Sequence, residues 1–187
     1  MENLTCCFTG HRLQSLPFRH NEQDERCVKL RALLLKLMTK LIKENLVTHF
    51  ISGMALGVDQ ICAELVLELK AKNPGITLEC AIPCEEQAIN WTESQRDRYF
   101  GIVERCDKET MLQHHYDKDC MMNRNRYMVD SSDIVLAVWN GKPSGTGNTV
   151  RYAQEQGKTV LIINPETLET RIREIAFLTK GLKLNKI

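Results

Sequence analysis

Short apolar runs and longer amphipathic segments alternate along the chain. The apolar runs have the length and β-branched content of buried strands. Six strands are predicted, over 4–9, 47–51, 76–82, 108–113 (the weakest), 134–139 and 159–163. Hydrophobic residues at helical spacing predict five helices. They cover about 21–45, a segment from 58 that ends at Asn73-Pro-Gly75, a segment after 91 that ends at about 105, residues 121–128, and the segment that follows 141–150. This alternation predicts an α/β protein.

After Asn164-Pro165 the pattern weakens. Residues 166–178 have weak helical character, and the basic tail 180–187 is expected to fray. We therefore predict one domain over 1–187, with its core at about 4–165 and a C-terminal helical tail at 166–187.

Composition narrows the class of protein. The 187 residues, 43% of them hydrophobic, are enough for one well-buried α/β domain. Because 25 Lys and Arg balance 24 Asp and Glu, the chain has no overall positive electrostatic field that would attract nucleic acid or an anionic membrane. A local basic groove is still compatible with this balance. No apolar run approaches the roughly 20 residues of a membrane span, and the start lacks a basic signal-peptide region. We expect a cytoplasmic protein whose eight cysteines are reduced.

A glycine-rich turn after the fifth strand is the first candidate for a ligand site. Its candidate residues are Ser144, Gly145, Thr146, Gly147, Asn148 and Thr149. A strand that leads into such a turn and then into a helix presents backbone N–H groups and a positive helix end to an anion. The alternative is an ordinary strand-to-helix connection, because these are often rich in glycine.

Two earlier strands end in similar turns. The candidates that they supply are Gly10, His11, Arg12, Ser52, Gly53 and Asp59. Gly10 lets the backbone turn, while His11 and Arg12 supply hydrogen-bond donors. His11 could instead be a core-edge imidazole, Arg12 a solvated charge and Asp59 a helix cap. If all three turns meet at one edge of the sheet, they form a phosphate pocket.

Further candidates follow the third strand and precede the fifth. Glu85, Gln87 and Trp91 offer an acceptor, an amide and a stacking surface, the mix that a nucleobase or ribose pocket uses, although Trp91 also suits a core or lid position. Arg124 and Arg126 point in different directions on a helix, so at most one should face a given site. Either could clamp a phosphate, and both could equally be exposed helix residues.

One polar cluster looks like a set of metal ligands. It contains His114, His115, Asp117, Asp119 and Cys120. We favour a polar loop between a strand and a helix as the explanation, because the spacing of these residues does not guarantee convergence in space. No metal site is predicted.

Four separated motifs together resemble one family. They are Phe8-Thr-Gly-His-Arg12, Ser52-Gly-Met-Ala-Leu-Gly-Val-Asp59, Asn123-Arg-Asn-Arg126 and Ser144-Gly-Thr-Gly-Asn-Thr149. The chain resembles the YpsA-like branch of the SLOG superfamily over about residues 4–165. This superfamily is related to the DNA-processing protein A core and to the LOG (lysine-decarboxylase-like) phosphoribohydrolases.

The resemblance implies a Rossmann-like three-layer sandwich with a mostly parallel sheet of about six strands. It also implies a nucleotide or nucleotide-derived ligand across the strand ends, and it assigns the four motifs, with Asp133, to that site. The LOG hydrolases carry glutamates after their glycine turn, whereas Val150-Arg-Tyr-Ala153 follows here. No carboxylate stands where that chemistry requires one, and Glu85 is the only nearby replacement.

Three functions follow from these observations. We favour a sensor-like or regulatory protein that binds a small nucleotide, such as an NAD or ADP-ribose derivative, with no certain cofactor. The alternative is a LOG-like nucleotide hydrolase with Glu85, Asp59 or His11 as acid or base. Single-stranded DNA binding fits poorly, because no basic stripe is visible. A homo-oligomer is compatible with the sequence, which identifies no interface.

Overall fold

The computed structural model describes residues 3–173. Its strands are β1 (Leu4–Gly10), β2 (Val47–Ser52), β3 (Thr77–Ile82), β4 (Lys108–Met111), β5 (Ile134–Val138), β6 (Thr159–Ile163) and β7 (Thr170–Arg173). Its helices are α1 (Glu25–Asn45), α2 (Val58–Lys70), α3 (Glu93–Val103), α4 (Cys120–Asp130) and α5 (Gly145–Glu155), with short 3-10 helices at Leu13–Ser15 and Glu85–Ala88.

The strands form one sheet in the order β4-β3-β2-β1-β5-β6-β7. Strands β1 to β6 pair in parallel, and β7 joins β6 antiparallel. Helices α1, α2 and α3 pack on one face through the larger hydrophobic core, and α4 and α5 cover the other face through a smaller one. The prediction of a Rossmann-like three-layer α/β fold with a mostly parallel sheet is therefore confirmed.

Strand β1 lies at the centre of the sheet, between β2 and β5. Its residues Cys6, Cys7 and Phe8 are fully buried. Helices cover this strand on both faces, which explains why these three positions are apolar. From β1 the chain crosses to β2 on one side, whereas from β5 it crosses to β6 on the other side. The carboxyl ends of β1 and β5 therefore diverge into a crevice, where open α/β sheets bind ligands.

The sheet has seven strands instead of the expected six, and the additional strand corrects the prediction for residues 166–178. Residues 170–173 form β7, in which Leu161 of β6 pairs with Ile172. Exposure alternates along β7, and the β-branched Thr170 and Ile172 favour an extended chain next to the open edge of β6. The rest of the predicted helical tail and the basic segment 180–187 lie outside the described residues.

Smaller differences concern the ends of elements. Helix α1 begins at Glu25 instead of about residue 21, because Asp24 caps it by accepting a hydrogen bond from the Arg26 N–H at 2.9 Å. Strand β4 ends at Met111 instead of residue 113. All eight cysteines are free thiols, and all but Cys106 are buried. No helix within residues 3–173 is long and apolar enough to cross a bilayer.

Candidate functional site

A cleft of about 310 Å³ opens at the carboxyl ends of β1 and β5, and we call it the switch cleft. The loop after β1, the start of α2, helix α4 and the first turn of α5 all contribute to its wall. The predicted site residues that line it are Gly10, His11, Arg12, Asp59, Arg124, Ser144, Gly145 and Thr146. Residues that are more than 100 positions apart in the chain thus meet because parallel strands end at one edge of the sheet.

A buried ion pair forms the floor of the switch cleft. Arg124 Nη1 lies 3.8 Å from Asp59 Oδ2, and the two side chains are 4% and 7% exposed. Arg124 Nη1 also donates to the carbonyl oxygen of Gly53, and its Nε donates to Asn125 Oδ1 at 2.8 Å. Asp59 Oδ2 also accepts a hydrogen bond from the Ala55 N–H at 3.3 Å. The guanidinium therefore joins the loop after β2 to α2 and α4.

Burial shifts both members of this pair towards their neutral forms. Burial raises the pKa of Asp59, and the positive charge of Arg124 opposes this rise. Burial also lowers the pKa of Arg124, and the negative charge of Asp59 opposes this fall. Each charge therefore offsets part of the cost that burial imposes on the other.

The loop between β2 and α2 approaches its neighbours so closely that it requires glycine at two positions. A Cβ at Gly53 would lie 2.5 Å from Arg124 Cζ and 2.8 Å from Asp59 Oδ2. Gly57 has φ +106°, and a Cβ there would lie 2.7 Å from the His11 carbonyl oxygen. Ser52 is fully buried, and its hydroxyl donates to the Asp59 carbonyl at 2.8 Å, so it holds the loop in place from beneath the cleft.

His11 is held against the loop that follows β5. Its Nε2 lies 3.0 Å from Asn140 Oδ1 and 3.2 Å from the Asn140 backbone nitrogen. Burial lowers the pKa of His11, and the bond to Asn140 opposes this shift only in part. The imidazole is therefore neutral at pH 7 and acts as a polar, uncharged part of the wall.

The positive end of α5 and a cation face each other across the switch cleft. Ser144 caps α5 by accepting a hydrogen bond from the Gly147 N–H at 3.1 Å. The N–H groups of Gly145 and Thr146 stand in the first turn, where a helix supplies no partner for them. Arg12 is exposed, and within residues 3–173 its side chain makes no ion pair or hydrogen bond. These donors can receive an anion together.

A second compartment of about 300 Å³ adjoins the switch cleft and shares Arg12, Gln14, Ala55 and Met121 with it. Gln87 and Trp91, the predicted base-pocket residues, line this compartment together with Gln14, Asn90 and Gln95. The Nε2 of Gln87 donates to the Gly53 carbonyl at 3.2 Å. We call this lining of side-chain amides and one indole the amide compartment.

Several predicted residues lie elsewhere. Glu85 is exposed and accepts a hydrogen bond from His114 at 2.7 Å, outside both cavities. Arg126 projects from the other side of α4, with its Cζ 5.7 Å from the centre of the Tyr152 ring. Asp133 accepts from the Thr5 N–H at 2.9 Å, at the opposite edge of the sheet. Arg124 and Arg126 are two positions apart on a helix, so their side chains point in directions about 200° apart around its axis. This explains why only Arg124 reaches the cleft.

The glycine-rich turn is divided among three environments. Ser144, Gly145 and Thr146 line the switch cleft. Gly147 packs against Trp139, and a Cβ there would lie 3.1 Å from the Trp139 Cζ2. Asn148 and Thr149 face a separate groove between α4 and α5.

The structure adds site residues that the sequence did not indicate. Gln14 and Ser15 lie in the 3-10 helix directly after the first turn, and Asn125 lies between the two arginines. Asn125 Nδ2 donates to Thr149 Oγ1 at 3.0 Å and so joins α4 to α5. The signal for Asn125 was present in the Asn123-Arg-Asn-Arg126 motif, whereas Gln14 and Ser15 carry none. Within residues 3–173 no group of three His, Cys, Asp or Glu side chains is arranged to hold a metal ion.

The family of the chain follows from comparison with known proteins. The model of the YpsA family, a SLOG family, matches residues 6–168. The chain belongs to the YpsA family of SLOG proteins. Its relatives include the SPbeta prophage-derived protein YoqJ of Bacillus subtilis, which is 34% identical over 68% of this chain and 82% of its own length. A UPF0398 protein of Halalkalibacterium halodurans is 30% identical over 86% of this chain and 88% of its own length.

Solved structures of DNA processing protein A share the fold of this YpsA-family chain. The Helicobacter pylori protein, described for its single-stranded DNA binding mode, matches with a TM-score of 0.58, 21% identity and 86% of this chain. The Streptococcus pneumoniae protein matches with a TM-score of 0.56, 17% identity and 87% of this chain. The match spans 65% of the former protein and 50% of the latter, and at these identities it speaks for the fold alone.

Proposed function

We propose that this protein binds a nucleotide or nucleotide-derived ligand in the switch cleft and acts as a sensor or regulatory protein. One observation carries the proposal: the unpaired guanidinium of Arg12 and the first-turn amides of Gly145 and Thr146 line the same cavity. A helix N-terminus carries about half a positive charge, and a nearby cation adds to it, so the cleft favours a phosphate group.

The adjoining amide compartment suits the other end of such a ligand. Trp91 offers a stacking surface, and Gln14, Asn90 and Gln95 offer both donors and acceptors. A neutral base or sugar can satisfy these groups without bringing a charge. An NAD or ADP-ribose derivative has both kinds of group and is the class that we favour. A cytoplasmic setting belongs to the same proposal, since free thiols persist in a reducing compartment.

A thermal-shift panel tests the proposal. We expect at least one of AMP, ADP, ADP-ribose and NAD to raise the melting temperature, because a ligand at 100 times its Kd adds about 2.7 kcal/mol to the free energy of unfolding. Arg12→Gln should weaken that ligand about 10- to 100-fold, the loss expected for a hydrogen bond to a charged group. Arg105→Gln, an exposed arginine beyond the end of α3, is the matched control.

Two results would contradict the proposal. One is a panel in which no nucleotide shifts the melting temperature. The other is Arg12→Gln protein that binds as tightly as the wild type. A short DNA single strand belongs in the panel, since the H. pylori structural neighbour is described as binding one.

Cleavage of the bound nucleotide is a second candidate function. It is favoured by the presence of Asp59 and His11 in one cleft, with the pKa of Asp59 raised by burial and that of His11 lowered by burial. A carboxyl group whose pKa rises towards neutrality can serve as an acid, and an imidazole that is neutral can accept a proton as a base. Chromatography of nucleotides incubated with the protein would show released base or ribose phosphate. Product formation that persists in Asp59→Asn and His11→Gln proteins would rule out these residues.

A further inference from the structure

A groove of about 490 Å³ lies between α4 and α5, and we call it the α4–α5 groove. It adjoins the switch cleft, because Met121, Asn125 and Gly145 line both. A ligand whose phosphate lies at the first turn of α5 therefore lies next to the groove.

The groove has an excess of positive charge. Lys118, Arg126 and Arg151 line it, and Glu155 is the only carboxylate of its lining. Within residues 3–173 none of the three cations makes an ion pair or a side-chain hydrogen bond. Arg98, by contrast, is paired with Glu22 and Glu64. Because the whole chain carries a net charge of only +1, this local excess indicates an anionic partner.

The groove also contains a fixed aromatic surface. The Cζ of Arg126 lies 5.7 Å from the centre of the Tyr152 ring. The Tyr152 hydroxyl donates to Asp130 Oδ1 at 2.9 Å, which anchors the ring at its far end. Met122, 45% exposed, lies on the same wall. A stacking surface next to unpaired cations is the combination that binds a base and its phosphate.

We propose that the ligand of this protein is longer than one nucleotide, with a second, phosphodiester-linked nucleotide in the α4–α5 groove. This inference rests on the proposed function of the switch cleft. In it, the linking phosphate lies beside Arg126 and Arg151, and the second base stacks against the Tyr152–Arg126 pair. The same chemistry occurs in a free dinucleotide and in a single strand of nucleic acid.

Calorimetric titration with AMP and with its 5′-phosphorylated dinucleotide pApA tests the inference. We expect pApA to bind about 10- to 100-fold more tightly, the gain that corresponds to one additional charge-assisted contact. The double variant Arg126→Gln/Arg151→Gln should bring the ratio of the two Kd values close to one. Lys36→Gln, an exposed lysine of α1 on the opposite side of the sheet, should leave the ratio at its wild-type value.

The outcomes are separable. If AMP binds but pApA gains nothing, or if the gain survives in the double variant, the groove inference is wrong and the proposed function stands. If neither AMP nor pApA binds, the groove inference fails, and the proposed function fails as well unless another nucleotide of the thermal-shift panel binds. If the gain is present and lost in the double variant, a long oligoadenylate identifies its source. If the oligoadenylate binds more tightly than pApA, the ligand is a single strand of nucleic acid. If it binds more weakly, the ligand is a free dinucleotide whose terminal phosphate is required.

Discussion

The guanidinium of Arg124 bonds to groups from three parts of the chain. It donates to the Gly53 carbonyl and to Asn125, and it pairs with Asp59. Both charged side chains are less than a tenth exposed, so water solvates neither charge fully. A buried charge that loses its only counter-ion is far more costly than the pair itself is favourable.

We therefore expect Arg124→Met to lower the free energy of unfolding by about 3–5 kcal/mol, because Asp59 is left buried and unpaired. The double variant Arg124→Met/Asp59→Asn should recover part of this loss. Urea denaturation measures both. Arg126→Met is the matched control, and its loss should stay near the value of its exposed contact with Tyr152, about 0.5–1 kcal/mol. Equal losses for the two arginine variants would contradict the assigned roles.

The choice between the two arginines also marks a limit of sequence reasoning. Helical spacing predicts that only one faces the cleft, but the rotation of α4 about its axis depends on its packing against α5, which the spacing does not specify. Glu85 shows the same limit, because its partner His114 comes from a loop whose path no periodicity predicts. Residue types at strand ends were predictable, whereas side-chain directions were not.

At the scale of elements, α5 links the switch cleft to the α4–α5 groove. Its first turn lines the cleft, and its next turns line the groove. The cap at Ser144 fixes where the helix begins and therefore where its free N–H groups lie. A substitution at Ser144 should therefore change both the stability of the start of α5 and the affinity for the ligand.

Ser144→Ala should lower the free energy of unfolding by about 1 kcal/mol through the lost cap and should also weaken nucleotide binding. Asp24→Ala is the matched control, because Asp24 caps α1 in the same way, by accepting a hydrogen bond from the Arg26 N–H, and lines neither the switch cleft nor the amide compartment. It should lower stability by a similar amount and leave the ligand Kd unchanged. Denaturation and calorimetry on both variants check this, and a ligand Kd unchanged in Ser144→Ala would contradict the role of the α5 first turn.

The type of a secondary-structure element could be predicted where its hydrophobic pattern was long enough. The apolar runs of the parallel strands and the periodicity of α1 and α2 correctly indicated their types, since burial on both faces or on one face leaves a distinct pattern. Strand β7 was missed because four residues of alternating exposure are too short to distinguish from a frayed helix. Its structure depends on the edge of β6, a tertiary feature.

At the scale of the whole molecule, one buried carboxylate connects β2, β3, β4 and α4. Glu79 is 1% exposed. It accepts hydrogen bonds from His49 at 3.0 Å, Lys108 at 3.1 Å, Thr110 at 2.7 Å and Tyr127 at 2.6 Å. Burial raises its pKa, but these four donors outweigh burial and lower the pKa to about 2.

Because the folded pKa of Glu79 lies below its ordinary value of 4.5, its contribution to stability is fully present above that value and is lost as the pH falls towards about 2. Glu79→Gln should lower the free energy of unfolding by about 1.5–3 kcal/mol at neutral pH. It should also flatten the dependence of stability on pH between these two values. Glu109→Gln, an exposed position on β4, is the control. Urea denaturation at several pH values would contradict the expectation if both variants followed the wild-type curve.

The central position of β1 has a consequence for how the chain is made. Its neighbour β2 begins about 40 residues later, but Cys6 pairs with Ile134 of β5. During synthesis, strands β1 to β4 can therefore assemble while one edge of this central strand still lacks its partner. Such an unpaired edge favours intermolecular strand pairing, so the interval before β5 emerges is when the nascent chain is most vulnerable to aggregation and most in need of a chaperone.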